Sequence, residues 1–500
     1  MMSILQSFPK QLTPREVQTQ ALLKLEENWN KADVFVLNLP VASGKSAIAE
    51  TIAAWRGRGS SAILTPTNIL LEQYAQNSEL KTYFGKDSVD CQDEAWGTCA
   101  ERYEWSLKKP QCGNRKTTRY CKGCPYSAAE RYMFHTKAQF NYITNYFKYV
   151  SLINKTVPRG AQKLWLGVKA KRPFLIIDEA HNLVDFIKDF HALHIWQKDF
   201  DYTQYKNRTA LVAALENTKP DINGNNKYQM GIDILKRNPP THILKHEDTT
   251  YRDSPASRLC LVPVTAAGLE SPLWDGRTKL ILMSATINSK DIAEMGLANR
   301  RVCYIDSDSC IPAEQRKVIF KPSGWIKAST LADTSEKTAD KINEIADLYP
   351  NNKGLVHATY SQAMYLNAFL RKDPRFMFHD RENKFKVYQE FRNTKQNKIL
   401  VASGMYEGVD LPYEAGRFQI IAKVPFSNLG EPAIRYQMSE DKEWFQWQAI
   451  KQILQACGRI CRTPTDHGDT YLLDANFRNL YTNNKDMFPD YFKESVNGLP

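Results

Sequence analysis

Five hundred residues, 42% hydrophobic and 24% charged, are too many for one ordinary core and predict a globular protein of roughly two to four domains. A formal net charge of +12 favours a polyanionic partner, although a basic chain can also simply carry a solvated surface. No apolar run is long enough to cross a bilayer, and the opening MMSILQSFPK lacks the layout of a signal peptide, so an intracellular, cytoplasmic chain with no membrane partner is expected.

The first predicted element is a helix within PKQLTPREVQTQALLKLEENW. Thr13 can cap it, Pro14 suits its first position, and Glu16 lies three residues after Thr13. Val17, Ala21, Leu22 and Leu25 then recur at helical spacing. Arg15 and Gln18 could face a nucleotide base or be ordinary surface residues. Next, Val34–Leu39 reads as a strand, Pro40–Ser46 as a tight loop and AIAETIAAW as a helix. In that setting Ser43, Gly44, Lys45 and Ser46 have the physics of a phosphate loop. Backbone N–H groups at a helix N-terminus wrap phosphates, Lys45 neutralises the β/γ oxygens, and the Ser46 hydroxyl reaches magnesium. Leu39 stands where the strict pattern has glycine, and Ala42 where glycine is common; a turn there needing φ > 0 tolerates alanine poorly.

The strand Ala62–Leu64 runs into Thr65-Pro66-Thr67-Asn68. The hydroxyls of Thr65 and Thr67 can grip a nucleic-acid phosphate, and they are equally good turn and cap groups. Residues 86–125 then break the α/β rhythm. Five of the ten cysteines lie here: Cys91, Cys99, Cys112, Cys121 and Cys124, the last followed by Pro125. Clustered thiols in an intracellular chain point to metal, and a Cys-Pro ending recurs in iron–sulfur sites, while zinc would use four cysteines equally well. Arg102, Lys108, Lys109, Arg115, Lys116, Arg119 and Lys122 beside Tyr103, Trp105 and Tyr120 suit a single-stranded nucleic acid.

The Tyr- and Phe-rich stretch from Tyr126 to Tyr149 reads as core packing. Phe174-Leu175-Ile176-Ile177-Asp178-Glu179-Ala180-His181 is a strand apolar on both faces that ends in two acids and a histidine. Open α/β sheets place ligands at that end. One acid there can hold magnesium on nucleotide phosphates and its neighbour can position or deprotonate water, or the pair can merely cap the next helix. From 182 to 275 amphipathic segments alternate with polar loops, which predicts an inserted, mainly helical subdomain. Leu280–Met283 is another buried strand, ending in Ser284 and Thr286, hydroxyls able to relay the state of a nucleotide site or to cap a helix. A second α/β block follows, with Gly404, Glu407, Gly408, Val409 and Asp410 in a loop after the strand Lys398–Val401. Gln455-Ala456-Cys457-Gly458-Arg459-Ile460-Cys461-Arg462 is predicted on a helix, where spacing of three puts Arg459 and Arg462 on one face. Two such arginines can clamp a γ-phosphate or form a basic stripe.

In this order ASGKS, DEAH, SAT, EGVDL and QACGRICR resemble the ordered motifs of the superfamily 2 helicases, over most of the chain. The cysteine insertion ending in Cys124-Pro125-Tyr126 narrows the resemblance to the iron–sulfur group typified by XPD and DinG. The resemblance implies an α/β fold of two RecA-like motor domains. The first takes 1–85, 126–181 and 276–305, with an iron–sulfur insertion at 86–125 and a small arch-like helical insertion at 182–275; the second takes 306–500. It implies ATP, Mg2+ and a [4Fe-4S] cluster. Arg15, Gln18, Ser43, Gly44, Lys45, Ser46 and Asp410 would serve the nucleotide, Asp178 the metal, and Glu179 the water. Gln455, Arg459 and Arg462 would reach the nucleotide from the second motor domain. Cys91, Cys99, Cys112 and Cys124 would hold the cluster, with Cys121 the alternative ligand. His181, Ser284 and Thr286 would couple the sites, and Thr65, Thr67 and the loop containing Gly408 would touch the nucleic-acid backbone. The expected activity is an ATP-dependent monomeric helicase moving 5′ to 3′ on single-stranded DNA and splitting forked duplex at the iron–sulfur domain.

Three other readings share parts of this pattern. A DEAH-type RNA helicase has the motor motifs but lacks the cysteine insertion and carries domains for which the 38 residues after Arg462 leave little room. A zinc-bearing binding protein with a decayed motor conflicts with intact Lys45, Glu179 and paired arginines. A DNA-stimulated ATPase that remodels or anneals strands without unwinding has the same motifs. Repair, replication, recombination and a phage-encoded role in a host cytoplasm all suit such a motor.

Overall fold

The computed structural model describes residues 3–85 and 140–499, apart from 41, 155, 160–161, 166, 206, 220–225, 252–253, 371, 381 and 406–408, together with 129, 132 and 133. The chain divides into two units, the first Met1–Asn38, Gly44–Asp306 and Gly430–Tyr436, the second Leu39–Ser43, Ser307–Leu429 and Gln437–Pro500.

The first unit is built on seven strands: β1 (Val34–Asn38), β2 (Ser61–Thr65), β3 (Lys81–Tyr83), β4 (Tyr142–Asn145), β7 (Phe174–Ile177), β11 (Lys279–Ser284) and β12 (Val302–Asp306). A small hairpin, β5 (Thr156–Arg159) and β6 (Gln162–Trp165), lies outside this sheet. The order is β12-β1-β11-β7-β2-β4-β3, and every pairing is parallel. Runs such as Val34-Phe35-Val36-Leu37 and Phe174-Leu175-Ile176-Ile177 are buried throughout, as strands covered by helices on both faces must be. The covering helices include α1 (Glu16–Asn28), α2 (Lys45–Trp55), α3 (Asn68–Asn77) and α4 (Tyr146–Ile153). In-register pairing of Ile177 with Leu282 and Leu64 brings the carboxyl ends of β7, β11 and β2 to one rim. That rim receives the phosphate loop, the acid pair and Ser284.

Two local expectations change. α1 starts at Glu16, not at Pro14, because Gln18 reaches back and its Oε1 accepts from Arg15 N–H at 2.9 Å; a third-position glutamine replaces the Thr13 cap. The segment 182–275 is not mainly helical. Beside α5 (Leu183–Phe190), α6 (Arg208–Glu216) and α7 (Gln229–Lys236) it forms an antiparallel sheet, β8-β10-β9, from β8 (Leu193–Trp196), β9 (His242–Tyr251) and β10 (Ser254–Pro263). The two longest elements are strands in register from His242↔Pro263 to Tyr251↔Ser254. The alternation Ile243, Lys245, Glu247 against Leu244, His246 is the two-residue period of a sheet with one dry face. Leu259 and Leu261 pack there with Leu211, Leu215, Ile232 and Leu235.

The second unit repeats the logic with β13 (Val318–Gly324), β14 (Gly354–Ala358), β15 (Phe376–Phe378), β16 (Ile399–Ser403), β17 (Phe418–Ile421), β18 (Asp469–Asp474) and β19 (Val496–Asn497). Their order is β15-β16-β14-β17-β18-β13-β19, again all parallel. α8 (Leu331–Asp347), α9 (Tyr360–Leu370), α10 (Lys384–Asn393) and α11 (Lys442–Cys457) flank it. Gly354 carries no side chain because a Cβ would meet the Phe418 ring at 2.2 Å. Both units are therefore RecA-like parallel α/β layers.

Candidate nucleotide site

β1 ends at Asn38, whose Nδ2 donates to Asp306 Oδ1 at 2.8 Å and whose Oδ1 accepts from Ile287 N–H at 3.4 Å. The chain then turns through the loop into α2. Gly44 takes φ +75°, a conformation glycine adopts without strain, and a Cβ there would crowd Gln18 Nε2 at 2.3 Å. Ala42 does enter the left-handed region, at φ +69°, the conformation that disfavours a side chain. Gln18 is not a surface residue. It is 4% exposed, and its Nε2 donates to Gly44 O at 3.3 Å, tying the start of α1 to the phosphate loop. The Ser43 hydroxyl is buried and makes no hydrogen bond among the described residues.

Directly beyond β7, Asp178 N–H donates to Leu64 O at 2.8 Å, which fixes the corner to the neighbouring strand. The Asp178 carboxylate is buried. Its Oδ1 accepts from Glu179 N–H at 2.9 Å, and its Oδ2 from the Tyr74 hydroxyl at 2.9 Å. Burial, and then the charge of Glu179, push its carboxyl up to about 6, while Lys45 and the Tyr74 bond oppose that rise. Glu179 sits at φ +46°, a strained place for a side-chain-bearing residue. The surroundings hold it there: Asn182 Nδ2 donates to its carbonyl at 3.1 Å, and the Tyr146 hydroxyl lies 2.9 Å from Asp178 O and 3.4 Å from Glu179 O. The Glu179 carboxylate is thereby aimed at Lys45 Nζ, 3.4 Å away, and at His181 Nδ1, also 3.4 Å.

His181 continues the chain of contacts. Asn182 Nδ2 faces its Nε2 at 3.0 Å, leaving Nδ1 to carry the proton toward Ser284 Oγ at 2.9 Å. Ser284 Oγ in turn accepts from Thr286 N–H at 3.2 Å. The Thr286 hydroxyl is buried and makes no hydrogen bond among the described residues. The structure thus brings Lys45, Asp178, Glu179, His181 and Ser284 into one connected set. Ser46 follows Lys45, whose ammonium lies 3.4 Å from Glu179, and Asp178 precedes Glu179, so a hydroxyl and a carboxylate, the hard oxygens magnesium prefers, flank that contact and fit the ion.

Thr65 Oγ1 donates to Thr67 O at 3.2 Å, and Thr67 caps α3 by accepting from Leu70 N–H at 3.4 Å. Arg15 stands at the N-cap position of α1.

In the second unit the predicted arginine helix is shorter than its spacing suggested. α11 ends at Cys457, so Arg459 and Arg462 do not share a helical face. Gly458 closes the helix, Leu411 N–H donates to Arg459 O at 3.0 Å, Ile460 bridges Leu411, and Cys461 turns at φ +58°. The two side chains still meet the same loop. Arg462 Nε lies 2.7 Å from Asp410 Oδ1, and Arg459 Nη1 3.4 Å from Val409 O. Gln455 is in the last turn of α11, half-buried, its carbonyl accepting from Gly458 N–H at 3.2 Å. Gly408 and all five clustered cysteines lie outside the described residues.

Sequence reasoning missed Tyr74, Tyr146 and Asn182. Tyr146 was counted as core packing, which its burial bears out, but its hydroxyl also works.

A strand, a phosphate loop opening a helix, and an acid pair at the end of another strand of the same sheet define a P-loop nucleotide-binding protein. Residues 344–495 match the family described as helicase C-terminal domain. Residues 11–215 match the type III restriction enzyme res subunit family. Among curated proteins, the regulator of telomere elongation helicase 1 homolog of Drosophila virilis is 27% identical over 171 residues, 30% of this chain and 17% of that protein. The 3′-5′ exonuclease DinG of Staphylococcus aureus (strain bovine RF122 / ET3-1) is 24% identical over 180 residues, 34% of this chain and 20% of that protein. The chain thus spans about a fifth or less of the length of these relatives. A solved XPD helicase structure superposes with TM-score 0.62 at 16% identity, covering 97% of this chain and 98% of that one. The chain is thus similar to the superfamily 2 helicases of the XPD/DinG-like group.

Proposed function

We propose that the chain is an ATP-driven motor that travels 5′ to 3′ on single-stranded DNA and opens forked duplex. The observation that carries the reading is the corner of buried Asp178 and half-buried Glu179, with Glu179 facing Lys45 at the end of the phosphate-loop sheet. Lys45 and Ser46 hold the phosphates, and Asp178 with Ser46 holds magnesium, which supplies Lewis-acid polarisation when bound. Glu179, aimed by Lys45 and His181, orients or deprotonates the attacking water. Arg459 and Arg462 act on the charge that develops on the phosphates, with Gln455 and Asp410 beside them in function. Arg15 and Gln18 frame the base end of the site, and Ser43 and Gly44 complete the loop. His181, Ser284 and Thr286 report the state of Glu179 along β11. Thr65, Thr67 and the Gly408 loop hold the DNA backbone, in keeping with the net charge of +12. The cysteine-rich segment 86–125 is the duplex-splitting domain, with Cys91, Cys99, Cys112 and Cys124, or Cys121 in place of one, on a [4Fe-4S] cluster.

The test uses protein purified without oxygen, assayed on duplexes carrying a 5′ or a 3′ single-stranded tail, with Lys45→Ala as blank. ATP-dependent opening of the 5′-tailed duplex alone is expected. Opening of the 3′-tailed duplex alone overturns the direction, and opening of neither, with DNA still stimulating hydrolysis, replaces the helicase by a translocase. Iron and acid-labile sulfide in the purified protein are expected, and zinc in their place overturns the cluster.

A further inference from the structure

We infer that Tyr74 is a positioning residue for the metal-binding carboxylate, and that through it α3 is tied to the nucleotide site; the inference rests on the nucleotide-site reading above. Tyr74 is 3% exposed, and no element of the phosphate loop or the acid corner contains it. Its hydroxyl donates to Asp178 Oδ2 at 2.9 Å. Asp178 Oδ1 is fixed by the Glu179 N–H at 2.9 Å. With Oδ2 fixed by Tyr74, the carboxylate plane has no rotational freedom left.

This is the arrangement by which an outer hydrogen bond sets the orientation of a ligand carboxylate. A phenylalanine at the same place would fill the core equally well, but it would leave Asp178 Oδ2 buried without its donor. Tyr74 also sits on the helix that Thr67 caps, so a shift at the start of α3 moves the phenol that orients Asp178. Among the described residues no other side chain donates a hydrogen bond to that oxygen.

The test compares binding of fluorescent mant-ADP to wild-type, Tyr74→Phe and Tyr83→Phe protein as magnesium is titrated. Tyr83 is another buried phenol of the first unit, and its hydroxyl makes no hydrogen bond among the described residues. The magnesium concentration that half-saturates the tightening of mant-ADP is expected to rise at least about tenfold in Tyr74→Phe, with magnesium-free affinity held within about twofold. Tyr83→Phe is expected to behave as wild type. An unchanged magnesium midpoint in Tyr74→Phe, or an equal shift in Tyr83→Phe, overturns the assignment. Wild-type protein that shows no magnesium-dependent tightening at all overturns the nucleotide-site reading instead.

Discussion

The acid corner of the first unit and the arginine corner of the second are held in opposite ways. Asp178 and Glu179 are fixed by buried phenols, by a backbone N–H and by Asn182, and Glu179 pays for its aim with a strained φ of +46°. Arg462 is held by Asp410 in a pair whose side chains are 31% and 53% exposed. Arg459 contacts a carbonyl at the long distance of 3.4 Å. A buried hydrogen-bond network is rigid and costly to break. An exposed ion pair is screened by water and contributes little. Pre-organisation therefore sits with the acids, and the Arg462–Asp410 pair can be exchanged at small cost.

The sharpest way to break this contrast is at the acids themselves. Glu179→Gln is expected to slow ATP hydrolysis by about 10²- to 10⁴-fold while leaving nucleotide binding close to wild type; Lys45→Ala is expected to lose both. Steady-state hydrolysis and mant-nucleotide titration read the two. A Glu179→Gln protein with near-normal turnover would remove the acid corner from the chemistry.

Next in size is the scaffold. Tyr146→Phe takes the donor from Asp178 O and is expected to lower unfolding stability by about 1–3 kcal/mol in a urea titration. Its hydrolysis should slow as well, because Glu179 loses part of its hold. Asp410→Ala is the matched change in the second unit and is expected to cost less than about 1 kcal/mol, since the pair it breaks is solvent-screened. If Asp410→Ala destabilises more than Tyr146→Phe, the contrast is reversed. The smallest effect belongs to Tyr83→Phe, which deletes a buried hydroxyl without a partner and is expected to be neutral or to stabilise by up to about 1 kcal/mol. Thermal melts of the four proteins rank them directly.

The layout was legible where a motif sits at a strand end. Val34–Asn38 and Phe174–Ile177 announce themselves as apolar runs, and the polar residues after them fall on one rim because parallel register leaves no other choice. Legibility failed where partners are distant. Tyr74 and Asp178 are 104 positions apart and Tyr146 and Asp178 are 32 apart, and nothing local marks a tyrosine whose hydroxyl will be used. It failed again where two periods compete: His242–Tyr251 alternates but is rich in Lys, Glu and Asp, so its strand character shows only once Ser254–Pro263 pairs with it. At Arg459 helical spacing misled, because Gly458 and the bridge from Ile460 to Leu411 end the helix first. Gln18 was open between base contact and surface; burial against Gly44 settles the second possibility against it.

The most direct test of the motor is ATP hydrolysis by the full chain with and without single-stranded DNA, magnesium present, wild type beside Lys45→Ala. The account predicts hydrolysis that DNA stimulates and that Lys45→Ala abolishes. Hydrolysis indifferent to DNA, or surviving the loss of Lys45, would contradict it.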